Sequence, residues 1–86
     1  MKVIKIGALW CGACLITNKA WNEFKQKHDF EFEDLDYDLD EEKVSKYSVG
    51  KVLPVFLFFS DDQEVGRVVG EIGLEDLENK LLEVGE

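Results

Sequence analysis

The spacing of apolar and polar residues predicts an opening strand followed by a long helix. Lys2 to Ala8 is short, apolar and β-branched, which is typical of a strand. From Gly12 to His28 the period changes, because Ile16, Ala20 and Phe24 recur every four residues while lysines and glutamates take the other side. We therefore expect an amphipathic helix whose core face carries these three residues.

The rest of the chain predicts three more strands and two more helices. They are a strand over Phe30 to Asp38, a short helix over Leu39 to Tyr47, strands over Val52 to Phe59 and Glu64 to Gly70, and a closing helix with Leu74, Leu77, Leu81 and Val84 on one face. The third strand is almost continuously apolar, as in strands covered on both faces. The last two strands are too close in sequence to be parallel neighbours. The order βαβαββα predicts an α/β fold in which three helices flank a four-stranded mixed sheet.

Composition indicates one small domain over residues 1–86 with an acidic surface. The 10 basic and 19 acidic residues give a formal charge of −9, which repels nucleic acid backbones and anionic membrane surfaces. No apolar run approaches the roughly 18 to 20 residues of a membrane span. Lys5 interrupts the apolar start of the chain, so a signal peptide is not expected there. We expect a cytoplasmic monomer.

The only two cysteines lie in the segment WCGAC, residues 10–14, where the first strand meets the first helix. Unpaired N–H groups and the helix dipole stabilise a thiolate at such a junction, so Cys11 is expected to be the more acidic and reactive thiol. Cys14 follows about one helical turn later on the same side. Cys11 could therefore attack a substrate disulfide, and Cys14 could then displace the substrate from the mixed disulfide.

Two other interpretations of the cysteine pair remain at this point. Both cysteines could be small buried hydrophobes. Structural zinc needs four nitrogen or sulfur ligands, whereas this chain offers two cysteines and His28. His28 lies roughly 20 Å along the helix from Cys14, so only a zinc ion or iron–sulfur cluster bridging two chains would fit. We expect no cofactor beyond a redox-active Cys11–Cys14 disulfide, and a role for His28 at the end of the helix.

The chain resembles the thioredoxin family over nearly its whole length. WCGAC follows a hydrophobic strand, VLPVF opens a later strand, and VVG precedes the final helix. The resemblance implies a minimal thioredoxin fold with a cis Leu53–Pro54 bond facing the cysteines, although a proline could also simply start an edge strand. It also implies a substrate groove, with Tyr37 at its rim. The groove residues carried over by position are Trp10, Gly12, Ala13, Leu53, Pro54, Val69 and Gly70.

The tryptophans are expected to differ in role. Trp10, beside the reactive thiol, would supply flat apolar contact area to a substrate, although a core position is the alternative. Trp21, on the apolar side of the first helix, is expected in the core.

The sequence departs from the family pattern at the positions that surround the second cysteine. Ala13 replaces the usual proline, from which we expect a more oxidising couple. Lys5 lies where the family keeps a buried aspartate, and Asp34 lies where it keeps a lysine. We hypothesise that Lys5 and Asp34 pair beneath the cysteines and that Asp34 accepts the proton of Cys14. The alternative is that each side chain reaches solvent independently.

The resemblance implies a thiol–disulfide oxidoreductase that acts on protein disulfides and is reduced by a thioredoxin-reductase-type flavoprotein. A glutathione-dependent glutaredoxin is one alternative, although residues between and after the cysteines match that family poorly. A redox sensor or adaptor without enzymatic activity is the other.

Overall fold

The computed structural model describes residues 1–85 and confirms the predicted order of elements. The elements are β1 (Lys2–Gly7), α1 (Gly12–Lys27), β2 (Glu31–Asp36), α2 (Glu41–Ser45), β3 (Val55–Ser60), β4 (Gln63–Val69) and α3 (Leu74–Val84). Within these residues, no helix has the length and apolar character that crossing a membrane requires.

The four strands form one mixed sheet in the order β2-β1-β3-β4. Strands β1 and β2 are parallel because α1 connects them across one face of the sheet, and the β1–β3 and β3–β4 pairs are antiparallel. Strand β3 begins at Val55, three residues later than predicted, because Val52 is exposed and Pro54 has no N–H to give to a ladder. The two central strands, β1 and β3, are buried on both faces.

Residues of β3 alternate between two core clusters. Val55 and Leu57 contact the cluster that includes both cysteines and Val44 of α2, which we call the cysteine cluster. Phe56 and Phe58 contact the other, the aromatic cluster. The aromatic cluster comprises Val3, Trp21, Phe24, Phe56, Phe58 and Leu77. The nearly continuous apolar run in β3 is therefore explained by burial on both sides of the sheet.

The buried face of α1 differs from the prediction at Ile16. The buried residues are Cys14, Thr17, Trp21 and Phe24, whereas Ile16 is 65% exposed. Thr17 is 1% exposed because its hydroxyl donates to the carbonyl oxygens of Ala13 and Cys14, which removes the cost of burying it. A polar residue on the core face shifts the apparent apolar stripe by one position.

Helix α3 packs on the sheet through the predicted face. Leu77 is fully buried, and Leu74, Leu81 and Val84 pack against the aromatic cluster. A Cβ atom placed on Gly66 of β4 would lie 2.7 Å from Cγ1 of Val84, so the absence of a side chain there allows the helix to approach.

His28 links the end of α1 to α3. It lies at the C-terminal cap of α1, where its ring stacks on Phe30 and its Nε2 is hydrogen-bonded to the carboxylate of Glu78. The residue therefore lies on the far end of the helix from the cysteines, as the sequence predicted.

Candidate active site

Cys11 caps the N-terminus of α1. Its backbone is extended, with φ −91° and ψ 108°, and its Sγ accepts a hydrogen bond from the backbone N–H of Cys14 at 3.2 Å. Cys11 and Cys14 are free thiols and are 7% and 3% exposed. Helix N-termini favour negative charge, so the position suits a sulfur that becomes a thiolate.

Cys14 lies in a more enclosed position, inside the first turn of α1. Burial raises the pKa of its thiol to about 11, and the neighbouring Cys11 adds to that increase. A backbone hydrogen bond at Ala8 and the charge of Lys5 oppose it. Cys14 therefore remains a protonated thiol at neutral pH in the reduced protein.

This raised pKa predicts that the reduced protein loses stability in alkaline solution. The thiol of Cys14 ionises near pH 9 in the unfolded chain and near pH 11 in the folded one, so the stabilisation is present below pH 9 and is lost as pH rises through 11. We expect the free energy of unfolding to fall by about 2 to 3 kcal/mol from this group. Urea unfolding of the reduced protein across this range should show the decrease.

Cys14→Ala is the matched control, because every other titratable group of the chain is present in both proteins. The difference in free energy between the wild type and this variant should narrow from pH 9 to pH 11. If the unfolding free energies of the two proteins fell in parallel with pH, the raised pKa of Cys14 would be contradicted.

The segment before β3 has the cis bond that the resemblance implied and shares a core cluster with the cysteines. The Leu53–Pro54 peptide bond is cis, and Leu53 belongs to the cysteine cluster. The carbonyl oxygen of Pro54 accepts a hydrogen bond from the N–H of Gly70 at 2.8 Å. Gly70 has φ +98°, a conformation that favours glycine.

Trp10 is placed on the surface and not in the core. It is 63% exposed, its ring meets Tyr37 edge to face at 6.3 Å, and its Nε1 donates to Oδ2 of Asp38 at 2.6 Å. Asp38 was missed by the sequence reasoning. The aspartate-rich run at the end of β2 could have indicated it, because aspartates often form turns that hydrogen-bond their own backbone. Here Asp36 Oδ1 accepts hydrogen bonds from the N–H groups of Asp38 and Leu39, which holds the loop in place.

Several apolar side chains that neighbour the cysteines in the sequence, or lie in the segments around β3, are exposed. They are Leu9, Trp10, Leu15 and Ile16 around the cysteines, Val52 before β3 and Val69 at the end of β4. Gly12 is also exposed, and Ala13 is half-buried against the cysteine cluster. Exposed apolar surface of this kind marks places where other proteins bind.

The predicted ion pair between Lys5 and Asp34 is wrong. The two residues are partners in the β1–β2 register, but Lys5 Nζ donates to Oδ1 of Asn18. Asp34 accepts a hydrogen bond from Nε1 of Trp21 at 2.8 Å and lies 3.6 Å from the ammonium of Lys25. The buried indole N–H needs an acceptor, and Asp34 supplies it.

Asp34 still lies on the wall of the cavity that Cys14 reaches, with its side chain 56% exposed. Its role as proton acceptor therefore stays a prediction. Asn18, one turn beyond Cys14, was not foreseen, because an asparagine in a helix carries no signal of its partner. Among residues 1–85, no group of three histidine, cysteine or acidic residues could hold a metal ion.

Comparisons with known proteins point to one family. The family model described as "Thioredoxin" matches residues 1–83. The chain is 33% identical over 81 residues to a "Thioredoxin H-type" of Oryza sativa subsp. indica, covering 93% of this chain and 65% of that protein. It is 30% identical over 71 residues to "Thioredoxin Asp f 29" of Aspergillus fumigatus, covering 79% of this chain and 64% of that protein. The chain thus spans just under two thirds of the length of these curated relatives.

Solved structures show the same similarity. The crystal structure of a thioredoxin from Nicotiana alata superposes with a TM-score of 0.87 at 31% sequence identity, covering 96% of this chain and 71% of that one.

Proposed function

Because the chain belongs to the thioredoxin family, we propose that it is a thiol–disulfide oxidoreductase that exchanges disulfides with protein substrates through Cys11 and Cys14. The fold is the minimal, four-stranded form of the thioredoxin fold. The observation that carries the proposal is the hydrogen bond from the Cys14 N–H to Cys11 Sγ, which places the first sulfur at a helix N-terminus and the second one turn behind it.

The proposed reaction begins at Cys11. Its thiolate attacks one sulfur of a client disulfide, the client S–S bond breaks, and the other client sulfur leaves as a thiolate that takes a proton from solvent. Cys14 then loses its proton and attacks Cys11 Sγ. The bond between Cys11 and the client breaks, the client leaves reduced, and two electrons have passed from the dithiol to the client.

The exposed apolar surface supports protein clients. Trp10, next to Cys11 in the chain, and Val69, next to Gly70, offer exposed apolar contact area, and Gly70 carries no side chain that would hinder an approaching backbone. The hydrogen bond from Trp10 to Asp38 holds the indole in one orientation, which reduces the entropy that client binding would cost.

The proposal extends to the reductant and the compartment. An acidic chain with formal charge −9 repels anionic glutathione, so we propose a flavoprotein reductase of the thioredoxin reductase type as electron donor. Two cysteines in all suit a monomer that works in the reducing cytoplasm.

Reduction of insulin disulfides tests the function. With NADPH and thioredoxin reductases from several organisms, the protein should turn over about tenfold faster than with glutathione and glutathione reductase. Preference for glutathione would instead indicate a glutaredoxin. If the reduced protein precipitates insulin no faster than dithiothreitol alone, the enzymatic proposal is rejected in favour of a redox sensor or adaptor.

A further inference from the structure

A cavity of about 290 Å³ lies beside Cys14. Its walls come from β1, α1, β2 and the loop before α2, and they include Cys14, Lys5, Asn18 and Asp34. Gly7 leaves the space between the sulfur and the lysine open. A Cβ atom on Gly7 would lie 3.1 Å from Cys14 Sγ and 3.5 Å from Cε of Lys5, so these two groups approach the same point from two sides.

Lys5 is the one basic residue among those of residues 1–85 that line the cavity. It is half-buried, and its Nζ donates to the neutral side chain of Asn18, which follows Cys14 by one helical turn. The charge of the ammonium is therefore not cancelled by the contact that holds it.

The three carboxylates on the cavity wall each have another partner. Asp34 accepts from Trp21 and lies near the Lys25 ammonium. Asp36 accepts from the N–H groups of the loop that follows it, and Asp40 accepts from the N–H of Asp36 at 2.8 Å. These contacts orient the acids toward α1 or the loop, whereas Lys5 shares the space at Gly7 with the Cys14 sulfur.

We propose that Lys5, held in place by Asn18, is a positioning residue that stabilises the thiolate of Cys14 when this cysteine resolves the mixed disulfide. This inference rests on the proposed function. In the resolving step the Cys14 proton passes to solvent in the cavity, whose wall also carries Asp34, the candidate acceptor. The resulting thiolate attacks Cys11 Sγ, the bond between Cys11 and the client breaks, and the client leaves as a thiolate that is then protonated.

The physical reason is the burial of Cys14. An enclosed thiol ionises reluctantly, and a nearby opposite charge favours its ionised form. A lysine does this throughout the resolving step because it does not need to take up the proton itself. Cys11 lies at the N-terminus of α1, which already favours a negative charge there, so its thiolate depends less on a nearby cation.

The experiment uses 4,4′-dithiodipyridine, an uncharged disulfide, with the reduced protein in excess. Attack by Cys11 releases one thiopyridone, and resolution by Cys14 releases the second, so the two steps are recorded separately by absorbance. In Lys5→Met we expect the first phase to be unchanged. The thiolate population of Cys14 should fall about tenfold, and because a more basic thiolate is a better nucleophile, the second phase should slow about threefold at pH 7.

The pH profile separates this electrostatic role from a structural one. The midpoint of the second phase should move to higher pH in Lys5→Met and return toward the wild-type value in Lys5→Arg, which keeps the charge. Lys19→Met removes an exposed positive charge from α1, the helix that carries Cys14, but outside the cavity, and should leave both phases unchanged. Asn18→Ala keeps Lys5 but removes the hydrogen bond that holds its ammonium, and should slow only the second phase. This variant also tests the proposal if Lys5→Met does not fold.

The outcomes distinguish the inference from the function on which it rests. If the wild type releases no thiopyridone from Cys11, the proposed function fails. If the first phase is normal and the second phase of Lys5→Met and Asn18→Ala keeps the wild-type rate and pH profile, the role of Lys5 is overturned and the function stands. Equal slowing in Lys19→Met would also overturn it, because net charge alone would then explain the effect.

Discussion

Cys11→Ser is expected to lower the rate of disulfide exchange by about a thousandfold or more. A serine hydroxyl at the cap of α1 can still accept the hydrogen bond from Cys14, so the fold should be retained. It does not ionise at neutral pH and forms no disulfide. Insulin reduction and circular dichroism of the same preparation would measure activity and folding together.

Cys14→Ser is the matched variant and should behave differently. Its Cys11 still attacks the client, but no second thiol is available, so the protein should accumulate as a mixed disulfide with the client. Mass spectrometry of the acid-quenched reaction would detect one covalently attached client per chain. If Cys11→Ser formed the adduct and Cys14→Ser did not, the roles of the two cysteines would be reversed.

Trp21→Ala is expected to cost about 3 to 5 kcal/mol of unfolding free energy. The indole is 1% exposed, its ring centroid lies 5.5 Å from those of both Phe32 and Phe56, and its Nε1 donates to Asp34. Truncation would leave a cavity in the aromatic cluster and an unfilled acceptor beside it. Since small domains have about 5 to 15 kcal/mol of stability in total, this loss is a large part of the free energy that keeps the protein folded.

Trp10→Ala provides the comparison, because both tryptophans donate to an aspartate but only Trp21 is buried. Urea unfolding of Trp10→Ala should give a change within about 1 kcal/mol of the wild type, while insulin reduction slows. Similar urea midpoints for the two variants would show that the aromatic cluster does not carry the stability assigned to it.

The sequence predicted the fold well where residue type alone determines position. The continuous apolar run of β3 predicted burial on both faces of the sheet. The change of apolar spacing at WCGAC predicted that this segment joins the first strand to the first helix. The family resemblance added the cis bond before Pro54, which the structure confirms. The closing helix was also predictable, since four apolar residues at helical spacing leave one choice of buried face.

The predictions failed where position depends on hydrogen-bond partners from other elements. Thr17 is buried because two carbonyl oxygens accept hydrogen bonds from its hydroxyl. The spacing of apolar residues does not reveal such a contact. Pairing of β1 with β2 does bring Lys5 opposite Asp34. The hydrogen-bond partner of each side chain nevertheless comes from α1, which supplies Asn18 to Lys5 and Trp21 to Asp34. The strand register determines which residues are neighbours in the sheet. The packing of α1 on the two strands determines which hydrogen bonds their side chains make.

The division of the core into two clusters bears on how this protein can evolve. The buried members of the cysteine cluster are the two cysteines and aliphatic residues, while the fully buried aromatic rings lie in the other cluster across the sheet. Effects of mutations at separated sites are close to additive. Under the proposed function, we therefore expect substitutions around the sulfurs to change the reduction potential of the cysteine couple while the aromatic side keeps the chain folded, so that one scaffold can serve opposite redox tasks.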